Sequence, residues 1–250
     1  MAKEKPFPTE AALCAAFLDW IDPEIWTAYP ECNGWDILLV RREDGFQIGV
    51  EAKLRMCVEV VNQALEEYGG GYTATRPGPD CRAVLVPSCA SFGIICRYLG
   101  VQIIQPYAMP EQWGKRKGKY RFMPELPKRA DSHTGDDWQE WCPAERHKLP
   151  AYVPDVTAGV KAPVQLTDWK IKAIKLAILL EKRGAVARSD FKHLRMDHRR
   201  WLDGAWLQPA AGGFVAGPRF PDLRGQHPRV YGEIAADYPR WKPKEEGSLL

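Results

Sequence analysis

Between Gly34 and Leu54 the chain reads GWDILLVRREDGFQIGVEAKL. This stretch constrains the fold more than any other. Side chains of a strand alternate between its two faces. The run Trp35 to Val40 is dense in Ile, Leu and Val, and it ends in Arg41-Arg42-Glu43-Asp44-Gly45, whose Asp-Gly pair is turn chemistry. The spacing predicts a β-hairpin. In its second strand Ile48, Val50, Ala52 and Leu54 form one apolar face, while Gln47, Gly49, Glu51 and Lys53 form the other. Such apolar density is that of strands inside a sheet covered by helices.

The charges in these strands raise the functional question. Glu51 and Lys53 are same-face neighbours, about 7 Å apart along the strand. Asp36 falls on a face with Leu38 and Val40, and pairing across the hairpin brings it beside Glu51. An unpaired buried charge is costly, and two close carboxylates repel. A divalent cation relieves both problems, and Mg²⁺ in particular keeps waters and leaves room for a phosphate. A partly buried lysine beside it can hold a phosphate oxygen or steer water. These are the parts of metal-assisted phosphodiester hydrolysis. The competing reading is an amphipathic hairpin with a solvated Glu/Lys face. The mid-strand position of the carboxylates favours the site.

Asp36, then fourteen residues, then Glu51-Ala52-Lys53, in a strand-turn-strand setting, resembles the PD-(D/E)XK nuclease superfamily, the restriction-endonuclease-like fold. The elements that follow fit the resemblance. A helix is predicted over Cys57 to Tyr68 with Val58, Val61 and Leu65 on one face. A strand follows at Ala83 to Pro87, a helix at Ser88 to Leu99 stopped by Gly100, and a strand at Val101 to Ile104. The resemblance spans roughly residues 8 to 106 and implies a mixed central sheet flanked by helices. It implies that Asp36 and Glu51 bind Mg²⁺, with Mn²⁺ substituting, that the Ala52 carbonyl also faces the metal, and that Lys53 is the catalytic lysine. Many members add a glutamate from the first helix, predicted here over Glu10 to Ile21. Glu10 shares a face with Leu13 and Phe17, yet it also suits a first-turn acid behind the N-cap Thr9, and both readings stay open. Glu31, near the start of the hairpin, is a weaker candidate for this glutamate and reads more readily as a loop acid. Some members carry Gln-x-x-x-Tyr after this strand. Gln63 is followed by Tyr68 at a different spacing, so Gln63 is a candidate substrate contact or a polar residue at a helix–sheet boundary. Trp35 stands where the family name has proline.

The remainder divides by charge. Residues 1–105 carry 9 Lys/Arg against 14 Asp/Glu, and residues 106–250 carry 26 against 18. An acidic half with a metal site and a basic half with a grip on nucleic acid suits a nuclease. Seven scattered cysteines without a CxxC pair argue against a disulfide framework or zinc knuckle and for a reducing cytoplasm, bacterial or phage-encoded. Cys89 and Cys96 read as helix core residues. His193 and His198 straddle a turn and do not suggest zinc. No apolar run reaches membrane-span length, and the N-terminal MAKEKPFPTEAA shows no apolar signal core.

Residues 107–163 read as a proline-rich connector between the core (1–106) and a third segment (164–220). The run Lys115-Arg116-Lys117-Gly118-Lys119 is either a solvated loop or a phosphate contact; Asp136-Asp137-Trp138 suits packing or a partner. In the third segment, Thr167 or Asp168 caps a helix with an apolar stripe through Ile171, Ile174 and Ile178, which Gly184 ends. Ser189 then caps a helix over Asp190 to Leu194, and Asp197 one over His198 to Leu202. A hairpin around Pro209 to Gly212 follows, then a C-terminal arm (221–250). Three helices and a hairpin resemble a winged-helix domain whose third helix presents His198, Arg199 and Arg200 outward, for DNA or for docking a partner. Residues 161–230 carry 14 Lys/Arg and 6 Asp/Glu, which favours nucleic acid.

The expectation from sequence is therefore a magnesium-dependent deoxyribonuclease serving restriction, mobile-element processing or defence, acting as a homodimer or with a partner protein. A non-catalytic nucleic-acid-binding regulator on the same fold, an RNase, and a transposon end-cleaving nuclease are the alternatives.

Overall fold

A computed structural model describes residues 6–66, 77–89, 92–109, 119–127, 138–160 and 165–243. Lys115, Arg116 and Lys117 lie outside them, as do Tyr68, Asp136 and Asp137. The chain forms two compact units, Met1–Leu149 with Val156–Gln165, and Pro150–Asp155 with Leu166–Leu250. The stretch read as a connector is thus divided between them.

The first unit runs α1 (Glu10–Trp20), β1 (Trp26–Cys32), β2 (Trp35–Arg41), β3 (Gln47–Ala52), α2 (Val58–Glu66), β4 (Cys81–Leu85), α3 (Gly93–Tyr98), β5 (Val101–Ala108) and β6 (Tyr120–Met123). Its six strands form one mixed sheet in sequential order. β1 to β3 are antiparallel, β3 to β5 parallel, and β6 returns antiparallel on β5. Parallel neighbours need a crossover connection, and α2 and α3 supply the two required. The fold class is therefore mixed α/β, a central sheet flanked by helices.

The expected hairpin is present. Ile37 pairs with Val50 and Val40 with Gln47. Its turn closes through Gly45, at φ 72°, and through Arg41, whose guanidinium grips Asp44 at 2.7 Å. A second hairpin precedes it and went unread in the sequence. Cys32 pairs with Trp35 across Asn33-Gly34, which sit at φ 54° and 87°. Positive φ at both turn residues is the geometry of a type I′ two-residue turn, which Asn-Gly favours. Glu31 consequently belongs to strand β1 and not to a loop.

Helices cover both faces of the sheet. Leu13, Cys14 and Phe17 of α1 pack with Ile37, Leu39, Ile48, Val50, Ala52 and Leu85. Val60, Val61 and Ala64 of α2, with Cys96 of α3, pack on Trp35, Leu38, Val40 and Val84. The Gln47-Gly49-Glu51 side of β3 is therefore not solvated; Gln47 is 2% and Glu51 7% exposed. Gly49 has a packing reason, since a Cβ there would lie 2.4 Å from the Trp35 indole. That indole donates to His147 at 3.2 Å, and Gln47 exchanges two hydrogen bonds with the His147 backbone. Residues 141–147, far along the chain, are thereby stitched to the sheet.

Three details of the sequence reading change. Val58 is exposed and Val60 takes its place in the core, because α2 is phased by contact with the sheet. The described part of the next helix begins at Gly93, so Cys89 stands outside it, while Cys96 is buried as expected. β5 runs on to Ala108 because β6 pairs with it.

The second unit runs α4 (Asp168–Arg183), α5 (Arg188–Leu194), α6 (Arg199–Asp203), β7 (Leu207–Ala210), β8 (Gly213–Ala216), α7 (Leu223–Gln226), α8 (Pro228–Ala236) and α9 (Tyr238–Trp241). Thr167 caps α4 by accepting the Lys170 amide, and Gly184 ends it at φ 76°. The start of α5 is held by Asp190, not Ser189: its carboxylate accepts the Ala187 amide and binds Arg183. β7 and β8 form a hairpin, and Val186, between α4 and α5, bridges to Phe214. Ile174, Ile178, Phe191, Trp201, Phe214, Val230 and Ile234 form the core of this unit. Among the described residues no helix is long and apolar enough to cross a membrane.

Candidate active site

The ladder between β2 and β3 stops at Ile37–Val50, one step short of Asp36 and Glu51. Asp36 does not continue it through its backbone. Its carboxylate turns toward β3 and accepts the Ala52 amide at 2.8 Å. The side chain thus occupies the place of a ladder carbonyl and lies against the residue between Glu51 and Lys53. On the other side of β2, the register that pairs Pro30 with Ile37 and Cys32 with Trp35 sets Glu31 opposite Asp36. Glu10 is the first residue of α1 and is half-buried.

The buried thiol of Cys14 feels the charge of these acids. Burial pushes it up, and so does the negative charge of Asp36, Glu31, Glu10 and Glu51. Charge is weakly screened in a protein interior and is felt across several ångströms. Acids on α1, β1, β2 and β3 thus all bear on the Cys14 thiol from different elements. Burial and the charge of Glu10 hold the Asp36 carboxyl above its ordinary value, while the Ala52 amide and Lys53 draw it down. Glu31 is pushed up to about 7 by burial and by Asp36, against hydrogen bonds from the Gly159 and Val160 amides. The region is rich in carboxylate, with Lys53 the cation whose charge acts on Asp36.

The remaining candidates are less concentrated. Lys53 is half-buried just past the end of β3, where its amide donates to the Leu85 carbonyl at 3.0 Å. Gln63 is half-buried on α2. Lys119 is exposed at the start of β6. In the second unit Arg199 and Arg200 are exposed on α6, as expected. His198 is not outward: its ring stacks on Phe214 at 5.9 Å and meets the edge of Phe191. His193 donates from Nε2 to the Trp241 carbonyl at 2.8 Å. Among the described residues, no group of three or more His, Cys, Asp or Glu side chains is drawn together closely enough to hold a metal ion.

The sequence reading left Cys14 unremarked and held Glu31 as a weaker candidate that reads more readily as a loop acid. The Asn33-Gly34 turn two residues after Glu31 was the available signal. It fixes a hairpin register that sets Glu31 opposite Asp36. Gly159 gives no local signal at all. Its amide donates to Glu31 at 2.8 Å from 128 residues away. Comparison with protein-family models, characterised proteins and solved structures finds no match to this chain, so its residues alone carry the functional reading.

Proposed function

We propose that this chain is a metal-dependent DNA endonuclease with the PD-(D/E)XK type of site, carrying a basic winged-helix unit for DNA binding or partner docking. The observation that carries the reading is the Asp36 carboxylate on the Ala52 amide. It sets Asp36 against Ala52, between Glu51 and Lys53, in a region where several carboxylates bear on one buried thiol. The donor chemistry fits Mg²⁺ or Mn²⁺, hard cations that take carboxylate and carbonyl oxygens. Asp36, Glu51 and the Ala52 carbonyl would hold the ion, with Glu10 as a candidate further ligand. When bound, the ion supplies Lewis-acid stabilisation of the phosphate and an acidified water. The chain's own residues do the rest. Lys53 balances charge on the attacked phosphate and orients the water. The apolar packing of Ile48, Val50 and Ala52 against α1 fixes the strand on which Glu51 sits. Hydrolysis would leave a 5′-phosphate and a 3′-hydroxyl.

The second unit supports the nucleic-acid side of the proposal. The order α4, Val186 bridge, α5, α6 and the β7–β8 hairpin supports the winged-helix reading. Arg199 and Arg200 stand on the helix that would enter a groove, and phosphate contacts by such residues supply affinity without sequence.

The test is cleavage of supercoiled plasmid with Mg²⁺, Mn²⁺ or EDTA, comparing wild type with Lys53→Ala and Glu51→Ala. Nicking or linearisation that needs the metal and drops by about 10²–10⁴ in both variants is expected, the loss typical of a removed catalytic group. Cleavage undiminished in the variants would show the assigned site to be wrong. Salt-sensitive DNA binding with no cleavage by wild type would leave the non-catalytic regulator.

A further inference from the structure

Helices α5 and α6 turn a line of positive charge outward. Residues 188–200 hold five Lys or Arg against two Asp. Asp190, Phe191 and Leu194 take the buried side of α5. Arg188 and Lys192, one turn apart, share the opposite side and are exposed, and exposed Arg195 follows at the end of the helix. Arg199 and Arg200 continue the line on α6. Both acids have other partners: Asp190 is buried and holds Arg183 at 3.0 Å, and Asp197 accepts the Arg199 amide at 3.0 Å. Among the described residues none of the five cations forms an ion pair. Arg195 also sits at φ 53°, a left-handed cap position that favours glycine or asparagine. The fold does not call for an arginine there. The β7–β8 hairpin, by contrast, carries no charged residue from Leu207 to Ala216.

We propose that Arg188, Lys192 and Arg195 on α5 act with Arg199 and Arg200 to grip the phosphate backbone of double-helical DNA, and that the β7–β8 hairpin takes no phosphate. The inference rests on the nucleic-acid side of the proposed function and names the partner of this unit, DNA and not a docked protein. The exposed residues of α5 are Arg188, Ser189, Lys192, His193 and Arg195, and none is apolar. The core of a protein interface is apolar and depleted in charge, so this face does not suit one. A helix rises about 1.5 Å per residue, which spreads Arg188, Lys192 and Arg195 over about 10 Å. One strand of a duplex carries a phosphate about every 3.4 Å of its axis, so the row spans about three of them. A helix holds its cations at fixed spacing, and a duplex backbone presents phosphates at fixed spacing to meet them. Contacts of this kind position the protein without reading bases.

The experiment is fluorescence anisotropy of a labelled DNA duplex with the full chain in EDTA, over salt from about 50 to about 200 mM. The variants are Arg188→Ala, Lys192→Ala, Arg195→Gly, the three combined, and Gln208→Ala in the hairpin, with circular dichroism to verify folding. Glycine suits the left-handed position, so Arg195→Gly removes the charge and keeps the cap. Each single α5 variant should lower the slope of log affinity against log salt by about 0.9, and the combination by about 2.7. Gln208→Ala should change neither slope nor affinity. A steep wild-type slope that survives in the combined variant would overturn the α5 face and leave the nucleic-acid reading standing. Equal loss of affinity in Gln208→Ala would overturn the exclusion of the hairpin. Tighter binding of the matching single strand would overturn the duplex as partner. No salt-dependent binding of duplex by wild type would overturn this inference together with the nucleic-acid role of the second unit, while plasmid cleavage still decides the nuclease site.

Discussion

The two units use charge in opposite ways. In the first, acids on four elements bear on the buried Cys14 thiol, and Glu31 is held by an amide far along the chain. In the second, Lys and Arg lie on the outside of helices whose caps and cores are local, as with Thr167, Gly184 and Arg199. On the proposed function, the difference follows from what each charge would have to do. A metal or general-acid site needs desolvated groups at fixed distances, and only a packed tertiary core supplies both. A grip on phosphate needs only positive potential at a surface, which helix faces supply unaided.

The comparison is broken most severely by removing a core side chain from each unit. Trp201 is 1% exposed at the centre of the second unit, packed on Phe191 and Trp206. Trp201→Ala should destabilise that unit by about 3–5 kcal/mol. Urea unfolding monitored by hydrogen exchange should show the loss there, with Mn²⁺ binding by the first unit retained. Phe17→Ala, on the helix that carries Glu10 and Cys14, should cost a similar amount and weaken Mn²⁺ binding as well. Equal loss of metal binding in both variants would contradict the division of labour.

A smaller effect sharpens the surface half of the comparison. Arg199→Ala and Arg200→Ala should weaken binding to all DNA sequences alike, and each should reduce the salt slope of log affinity by about 1. Folding should be untouched, because both side chains are exposed. A variant that loses stability and keeps its salt slope would remove α6 from the DNA-binding surface.

The smallest effect is a difference in sign with pH. Glu31 is pushed up to about 7 from 4.5 by burial and Asp36. Its folded state holds a proton that the unfolded chain has released, so its contribution to stability falls as pH rises from about 4.5 to about 7. His227 is 0% exposed, and burial lowers its pKa from 6.5, with Asp155 opposing and Lys170 assisting. Between its folded value and 6.5 the unfolded chain binds the extra proton, so its contribution is full above 6.5 and is lost as pH falls. In metal-free protein, the stability of wild type relative to Glu31→Gln should therefore fall as pH rises. Its stability relative to His227→Gln should move the other way. Urea midpoints measured from pH 5 to 8 decide this; parallel slopes would refute the assignment.

Much of the frame was legible before any coordinates. Alternation over Ile48 to Leu54 and the Asp-Gly turn give the β2–β3 hairpin, because period and turn chemistry are local properties. Thr167 and Gly184 mark the ends of α4 for the same reason. The neighbourhood of Asp36 and Ala52 was visible as well, since strand pairing joins residues close in sequence. What failed was contact-dependent. The phase of α2 slipped because Val58 and Val60 are equally apolar and only the sheet chooses between them. His198 was expected outward, yet its ring lies on Phe214.

The sequence by itself determined which strands pair at the centre, where charge is misplaced for a plain core, and which half of the chain is basic. Tertiary structure alone decided that Asp36 would leave its ladder to hold the Ala52 amide, that Glu31 would stand opposite it, and that Gly159 would reach Glu31 across 128 residues. The physical reason is that periodicity, caps and turns are written in adjacent residues, whereas burial and the charge around a buried group depend on everything packed against it.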